Sequence, residues 1–272
     1  MRKKITAGTS GALITLTTLV TGFGVRDAGR PGGPNPTLRH FLSGLRRTLA
    51  NRAFSAIFAT FCLMTVATSL GQAVQLLVIK YWLNLYDFFP AIALVFGLCF
   101  VGSFPLWMRL SHRIGKRRAF MVGLGLGCVV PFGWLLVPPG HRAAMLVFMV
   151  AAGIASGSVT LAMSQAIDVV DLDELHTGEQ RAGAYFGVWT LGLKSMNALG
   201  ILLGGVLLEA VGYVPEVTQD PRTLWWLIML VGPTQAGVHA VGLLMFRRLR
   251  FDAGDVHRIQ AELQARRGGA SP

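Results

Sequence analysis

The chain has 272 residues, 53% of them apolar and only 14% charged, against the ~25% charged residues of a typical soluble domain. That composition excludes a disordered chain and an ordinary water-soluble globule. The net charge of +12 does not mark a nucleic-acid binder, because the basic residues lie between long apolar runs rather than among polar ones.

A membrane-crossing helix needs ~20 mostly apolar residues. Seven such runs are predicted: Ile5–Val25, Phe54–Leu83, Phe88–Leu110, Phe120–Val137, Ala143–Val169, Tyr185–Val211 and Leu224–Phe246. They are continuous rather than alternating, which argues against barrel strands. The first is Thr-rich and the least hydrophobic. A linker, residues 26–52, follows it. Gly29, Pro31, Gly32, Gly33, Pro34 and Pro36 forbid regular structure in its first half. Its second half, with Arg39, Arg46, Arg47 and Arg52, fits an interfacial amphipathic helix. Six helices fill residues 53–250, which suits two three-helix repeats. A tail, 251–272, closes the chain.

Basic residues set the orientation. Arg2, Lys3, Lys4, Lys80, Arg142 and Arg222 fall on one side, and Lys194 falls inside a span. All the others fall on the opposite side, which is therefore cytoplasmic, together with the linker and the tail. Arg2–Lys4 then lie outside. Either this basic start belongs to a signal peptide, or the first span belongs after helices that precede this chain.

Lys194 stands nine residues into its span, ~14 Å deep at 1.5 Å per residue, too deep to snorkel. An ionisable group at that depth points to a functional site. Thr190 and Asn197 share its helix face. The alternative is a structural pair with a carboxylate such as Glu209. Gln72 and Gln75 in the second span, Ser156, Thr160 and Ser164 in the fifth, and Gln235 with His239 in the seventh are compatible with a polar path. They also fit helix–helix hydrogen bonding. Gly153-x-x-x-Gly157 and Gly200-x-x-x-Gly204 read as sites of close helix approach. Aromatic residues at span ends, Trp107 among them, read as an interfacial belt.

The segment Asp168–Arg181 gathers Asp168, Asp171, Asp173, Glu174 and Glu179 beside His176. It faces Arg113-Ile-Gly-Lys116-Arg117-Arg118 in the topology. Such clusters can latch one face of a bundle; otherwise they are solvated loops. Cys62, Cys128 and Cys99 lie inside apolar runs, so no disulfide or metal framework is expected. Gly123, Gly125 and Gly127 are within a span and form no phosphate loop. No hydrolase or metalloprotease motif appears, so the chain is not expected to be an enzyme.

The run Asp168-Val-Val-Asp171-Leu-Asp173-Glu174-Leu-His-Thr-Gly178-Glu179-Gln-Arg181-Ala-Gly183-Ala-Tyr185-Phe-Gly-Val-Trp189, with Lys194, Gly204-Gly205 and Gly212-Tyr213 after it, resembles the glycoside–pentoside–hexuronide:cation symporters. These form the melibiose-permease-like branch of the major facilitator superfamily. Asn51-Arg52-Ala-Phe54 and the tail from Phe251 to Leu263 resemble the family too, and Arg113–Arg118 is similar to the superfamily's loop motif. The resemblance covers the family's second half. It implies that Lys194 matches the family's buried lysine near the sugar and cation pocket, and that Asp168, Asp171, Glu174 and Arg181 belong to a cytoplasmic gate. The family's cation-coordinating acids lie in first-half helices that this chain does not contain. Gln180, Ala182, His112 and Val159 depart from the family pattern, the last where melibiose-type members place a sugar-contacting Trp.

The expectation is an all-α membrane protein of seven transmembrane helices: a partial major-facilitator fold with one leftover span (1–25), a linker (26–52), a six-helix bundle (53–250) and an amphipathic tail (251–272). Its substrate/cation site would use Lys194, Thr190, Asn197, Gln72 and Gln75. Its gate would use Asp168, Asp171, Glu174, Arg181, Arg113, Lys116 and Arg117. No cofactor or bound metal is expected beyond a coupling cation, sodium or proton. The partners are the bilayer of the cell membrane, a small solute, and a missing N-terminal half or second copy; nucleic acid is not one. The alternatives are a lysolipid-like or other small-solute carrier of the same family and a non-transporting remnant or accessory subunit.

Overall fold

The computed structural model describes residues 38–178 and 181–248. The predicted span Ile5–Val25, the first half of the linker, the His176 side chain, Glu179, Gln180 and the tail lie outside the described structure. The chain divides into two units, Met1–Ser43 and Gly44–Pro272. All the spans discussed below belong to the second.

Among the described residues there are six helical spans long and apolar enough to cross a membrane: Arg52–Trp82, Tyr86–Ile114, Lys116–Leu136, Arg142–Leu175, Ala182–Ala210 and Pro221–Arg247. Within and before them run helices α1 (Leu38–Ala50), α2 (Arg52–Leu77), α3 (Phe89–Gly102), α4 (Phe104–Ile114), α5 (Lys116–Val129), α6 (Gly133–Leu136), α7 (Arg142–Ser156), α8 (Val159–Thr177), α9 (Ala182–Ala210), α10 (Pro221–Val231) and α11 (Pro233–Arg247). The predicted spans match these six in order, with ends displaced by a few residues. The basic half of the linker is α1. Its Thr48 is buried and Leu45 packs on the core, while Arg46 and Arg47 are exposed.

Asn51 decides where α2 begins. Its side-chain Oδ1 accepts from the backbone N–H groups of Ala53 (3.1 Å) and Phe54 (3.2 Å), which satisfies two of the orphan donors of a helix start. Its Nδ2 donates to the Tyr185 hydroxyl at 3.2 Å. One side chain thus ties the start of α2 to the start of α9, and these two helices run parallel. Phe54 meets Tyr185 edge-on at 4.8 Å, Phe61 stacks on Trp189 at 4.2 Å, and Ser69 reaches Asn197. Close approach is possible because Gly200 and Gly204 face α2. A Cβ on Gly200 would stand 2.6 Å from the Val66 carbonyl oxygen, and one on Gly204 would stand 3.0 Å from Ala73. Gly153 plays the same part between α7 and α3, against the Phe96 carbonyl. Both small-residue motifs therefore do what their spacing suggests.

Trp107 does not belong to an interfacial belt. It is 2% exposed, and its indole N–H donates to the Ile154 carbonyl at 2.7 Å, bracing α4 against α7. Tyr86, Trp225 and Trp226 are exposed at span ends, as a belt requires.

The apolar core is split in two. One cluster, at the charged end, centres on Phe54, Phe61, Trp107, Phe120, Tyr185 and Trp189. The other, at the end with Tyr81, centres on Val78, Ile79, Leu83, Trp134, Met145 and Ile228. Between them four spans lose regular helix, span two at Ser103, between α3 and α4. Span four turns at Gly157–Ser158, between α7 and α8. Span three passes through a 3₁₀ turn at Val130–Phe132. Span six breaks at Gly232, whose φ and ψ of −99° and −90° are followed by Pro233 at the start of α11. Gly232 lies against the Pro131 carbonyl, where a Cβ would stand 3.1 Å away. Irregular backbone inside a membrane is tolerated where it is buried in protein or lines a cavity.

Candidate functional site: a polar cavity between two cores

The space between the two clusters is a cavity of about 630 Å³. Its walls are mostly aromatic and aliphatic, with Phe61, Phe100, Phe120, Trp134 and Phe148 prominent. Against this background stand Thr68, Gln72 and Gln75 from α2, Ser156 and Ser158 from the break in span four, and Gln235 and His239 from α11. Gln72, Ser156 and Val159 are exposed, so the mouth lies between α2 and the Gly157–Ser158 turn. A ligand pocket of this size, largely apolar with a few converging polar groups, is the ordinary form of a small-molecule site.

Two glycines make room for the α11 side chains. A Cβ on Gly71 would collide with the Gln235 amide, and one on Gly127 would collide with the His239 ring. His239 Nδ1 is 2.8 Å from the Gln235 carbonyl oxygen, one turn earlier. Among the described residues the cavity lining contains no Asp, Glu, Lys or Arg, so its polarity there comes from amides, hydroxyls and one imidazole.

The predicted substrate residues divide into two groups. Gln72 and Gln75 line the cavity. Thr190, Lys194 and Asn197 do not; they are exposed on α9. Asn197 touches Ser69 of α2, one turn before Gln72, which puts the α9 stripe beside the cavity mouth. Gly183, Gly187 and Gly205, on the same broad face as Lys194, look onto open space. No ion pair reaches Lys194 among the described residues. Glu209, fifteen residues further along α9, is ~22 Å away and cannot be its partner. Gln235 and His239 were legible in the sequence as two polar residues one turn apart in an apolar span. What the sequence did not expose was the seat that Gly71 and Gly127 provide for them.

The charged end holds the residues predicted to form a gate. Lys116 Nζ lies 2.7 Å from both carboxylate oxygens of Asp168, which is 4% exposed. Arg181 pairs with Asp173 at 3.8 Å. Arg117 donates to the Arg247 carbonyl at 3.2 Å. Asp171 and Glu174 are half-buried further along α8, and Arg113 is exposed at the end of α4. The opposite-sign clusters therefore do meet, and the contact falls within one bundle: Lys116 at the α4–α5 turn holds the middle of α8.

Residues 4–253 match the family described as MFS/sugar transport protein. The chain belongs to that family. It is similar, at 29% identity, to an uncharacterized symporter of Synechocystis sp.; the match covers 83% of this chain and 43% of the relative. It is similar at 26% to the sodium-dependent lysophosphatidylcholine symporter 1-A of Danio rerio, over 85% of this chain and 44% of that one. At 27% it is similar to a glucuronide carrier protein homolog of Escherichia coli, over 70% of this chain and 41% of that one. The chain thus spans less than half the length of these relatives. They are consistent with the glycoside–pentoside–hexuronide symporter resemblance read from Asp168–Lys194. An all-helical, multi-pass membrane protein of a transporter family is what the sequence led us to expect.

Proposed function

We propose that this chain is the solute-binding C-terminal bundle of a secondary carrier that moves a sugar or glycoside together with a cation by alternating access. The observation that carries this reading is the cavity: neutral hydrogen-bonding side chains set among aromatic walls, at the level where four spans break. Amides and hydroxyls pair with sugar hydroxyls, and aromatic faces pack on the apolar faces of a sugar ring or aglycone. Lys194, Thr190 and Asn197 supply the outer part of the site beside the mouth.

Lys194 supports the second element of the reading. A lysine facing lipid at mid-span costs roughly 3 kcal/mol on insertion scales. The α9 face, with its open glycines, is built to be covered by helices other than those of this bundle. A complementary half, or a second copy, supplies them, and rocking of the two bundles would open the cavity to either side. The Arg113–Arg118 side faces the cytoplasm of the cell membrane in this reading, with the Lys116–Asp168 pair holding that end of the bundle together.

Binding to the purified chain in lipid nanodiscs tests the proposal. Trp134 lines the cavity and reports occupancy by fluorescence. A p-nitrophenyl glucoside or glucuronide should quench Trp134 saturably, and Gln72→Ala with Gln75→Ala should weaken that quenching at least tenfold. Saturable quenching by lysophosphatidylcholine and none by either glycoside would replace the sugar reading with a lysolipid one. The second reading has its own support: the cavity walls are predominantly apolar, and a lysophosphatidylcholine symporter is among the relatives.

A further inference from the structure

Among the described residues, His239 is the only titratable side chain that lines the cavity. Its environment fixes its tautomer. The Gln235 carbonyl can only accept, so the 2.8 Å contact requires the hydrogen on Nδ1. In the neutral ring, Nε2 is then the bare basic nitrogen. No donor among the described residues reaches it. The ring lies on Gly127, where a Cβ would stand 2.8 Å from Nε2, and a methyl group there would push the imidazole off its seat. A histidine that served only as helix glue would engage both nitrogens with neighbouring helices; this one engages its own backbone and leaves Nε2 at the cavity.

Among the described residues no ionised side chain stands in the cavity with it. The elements packed against α11 are α2, α5, α10 and the 3₁₀ turn at Val130–Phe132. Their titratable and charged groups are Cys62 on α2, Cys128 beside Gly127, whose thiol donates to the Leu124 carbonyl, and residues at helix starts: Arg52, Lys116–Arg118 and Arg222. On α11 itself there is Arg247, two turns beyond His239. None of these lines the cavity. A volume of about 630 Å³ has room for some twenty waters at ~30 Å³ each, enough to solvate an imidazolium.

We propose that His239 is a proton-binding site inside the cavity, with Nε2 taking a proton from cavity water and returning it there within the range of about pH 5 to 8 in which imidazoles titrate. The lining then alternates between neutral and singly positive. Its meaning for transport, a proton loaded on this bundle together with solute, rests on the solute reading above; the proton site itself does not.

The test is a histidine NMR titration of the full chain in lipid nanodiscs, without solute. Replacing His40, His112, His141, His176 and His257 by Gln leaves one imidazole, labelled with ¹³C and ¹⁵N. The expected result is a sigmoidal Cε1 shift with its midpoint between pH 5 and 8, and ¹⁵N shifts of the Nδ1–H tautomer at the alkaline end. Gly127→Ala should move the midpoint by at least half a pH unit. A signal that stays flat from pH 5 to 8.5 overturns the proposal. If the five-fold variant does not fold, the signal lost from the wild-type spectrum in His239→Asn gives the same readout. A flat titration leaves glycoside binding untouched, and absent glycoside binding leaves the titration untouched, so the two failures are distinguishable.

Discussion

Helix α9 carries Thr190, Lys194 and Asn197 exposed, with only Asn197 touching α2 among the described residues, whereas α11 carries Gln235 and His239 into a cavity walled by its own bundle. Both sets are polar groups in apolar spans, but their bundle treats them differently. The α11 pair has glycine seats at Gly71 and Gly127 and a carbonyl partner. Lys194 has none of these, and it carries the larger desolvation cost. An interior group is already solvated by its own fold. An outward-facing charge has to be satisfied by what docks on it. The two regions should therefore respond differently to mutation: changes at Lys194 should be felt in transport alone, changes in the packed interior in stability as well.

The largest expected effect separates them most sharply. Lys194→Ala should abolish cation-coupled solute accumulation by a complete carrier in vesicles, while leaving the unfolding of this chain in detergent unchanged. Undiminished accumulation would remove Lys194 from the site. Next comes the α2–α9 seam. Gly200→Ala puts a methyl group against the Val66 carbonyl, which is backbone and cannot swing aside, and should cost about 3 kcal/mol in a detergent-unfolding titration. Gly71→Ala meets only the end of the Gln235 side chain and should cost about 1 kcal/mol. Equal losses at the two sites would mean that the seam yields as easily as the cavity wall. Between these in size is the charged end. Asp168→Asn removes a buried carboxylate bonded through both oxygens and should cost about 2 kcal/mol. A Lys116→Met partner mutation should recover part of that loss in a double-mutant cycle.

Much of the fold was legible in the sequence because a bilayer imposes one requirement, continuous apolar length, and the six described spans carry it plainly. The glycine motifs at Gly153 and Gly200 were legible for a related reason: close approach needs the absence of a Cβ at helical spacing. Opposite charge at Lys116 and Asp168 foretold their contact. Three features were hidden. Trp107 sits near a span end in sequence and reads as interfacial, yet a carbonyl on another helix, Ile154, holds it inside. The separation of Lys194 from Gln72 and Gln75 depends on which faces of α2 and α9 meet, and hydropathy does not encode that. Gly157 read as a packing glycine. It does pack, against Ser103 and Trp107, but it also marks the turn that interrupts span four.

That turn has a mechanical consequence. Across Gly157–Ser158 the chain holds itself by i→i−3 bonds, Ser158 to Ala155 and Leu161 to Ser158, in place of part of the i→i−4 ladder. Span four is therefore two short rods joined by a soft coupling rather than one stiff one. Its far rod, α8, is clamped at the charged end by Lys116, and its near rod, α7, is packed on α3. A load applied at either end would be absorbed at the joint, where Ser156 and Ser158 line the mouth and floor of the cavity. Bending there would change the width of the cavity without unseating either rod.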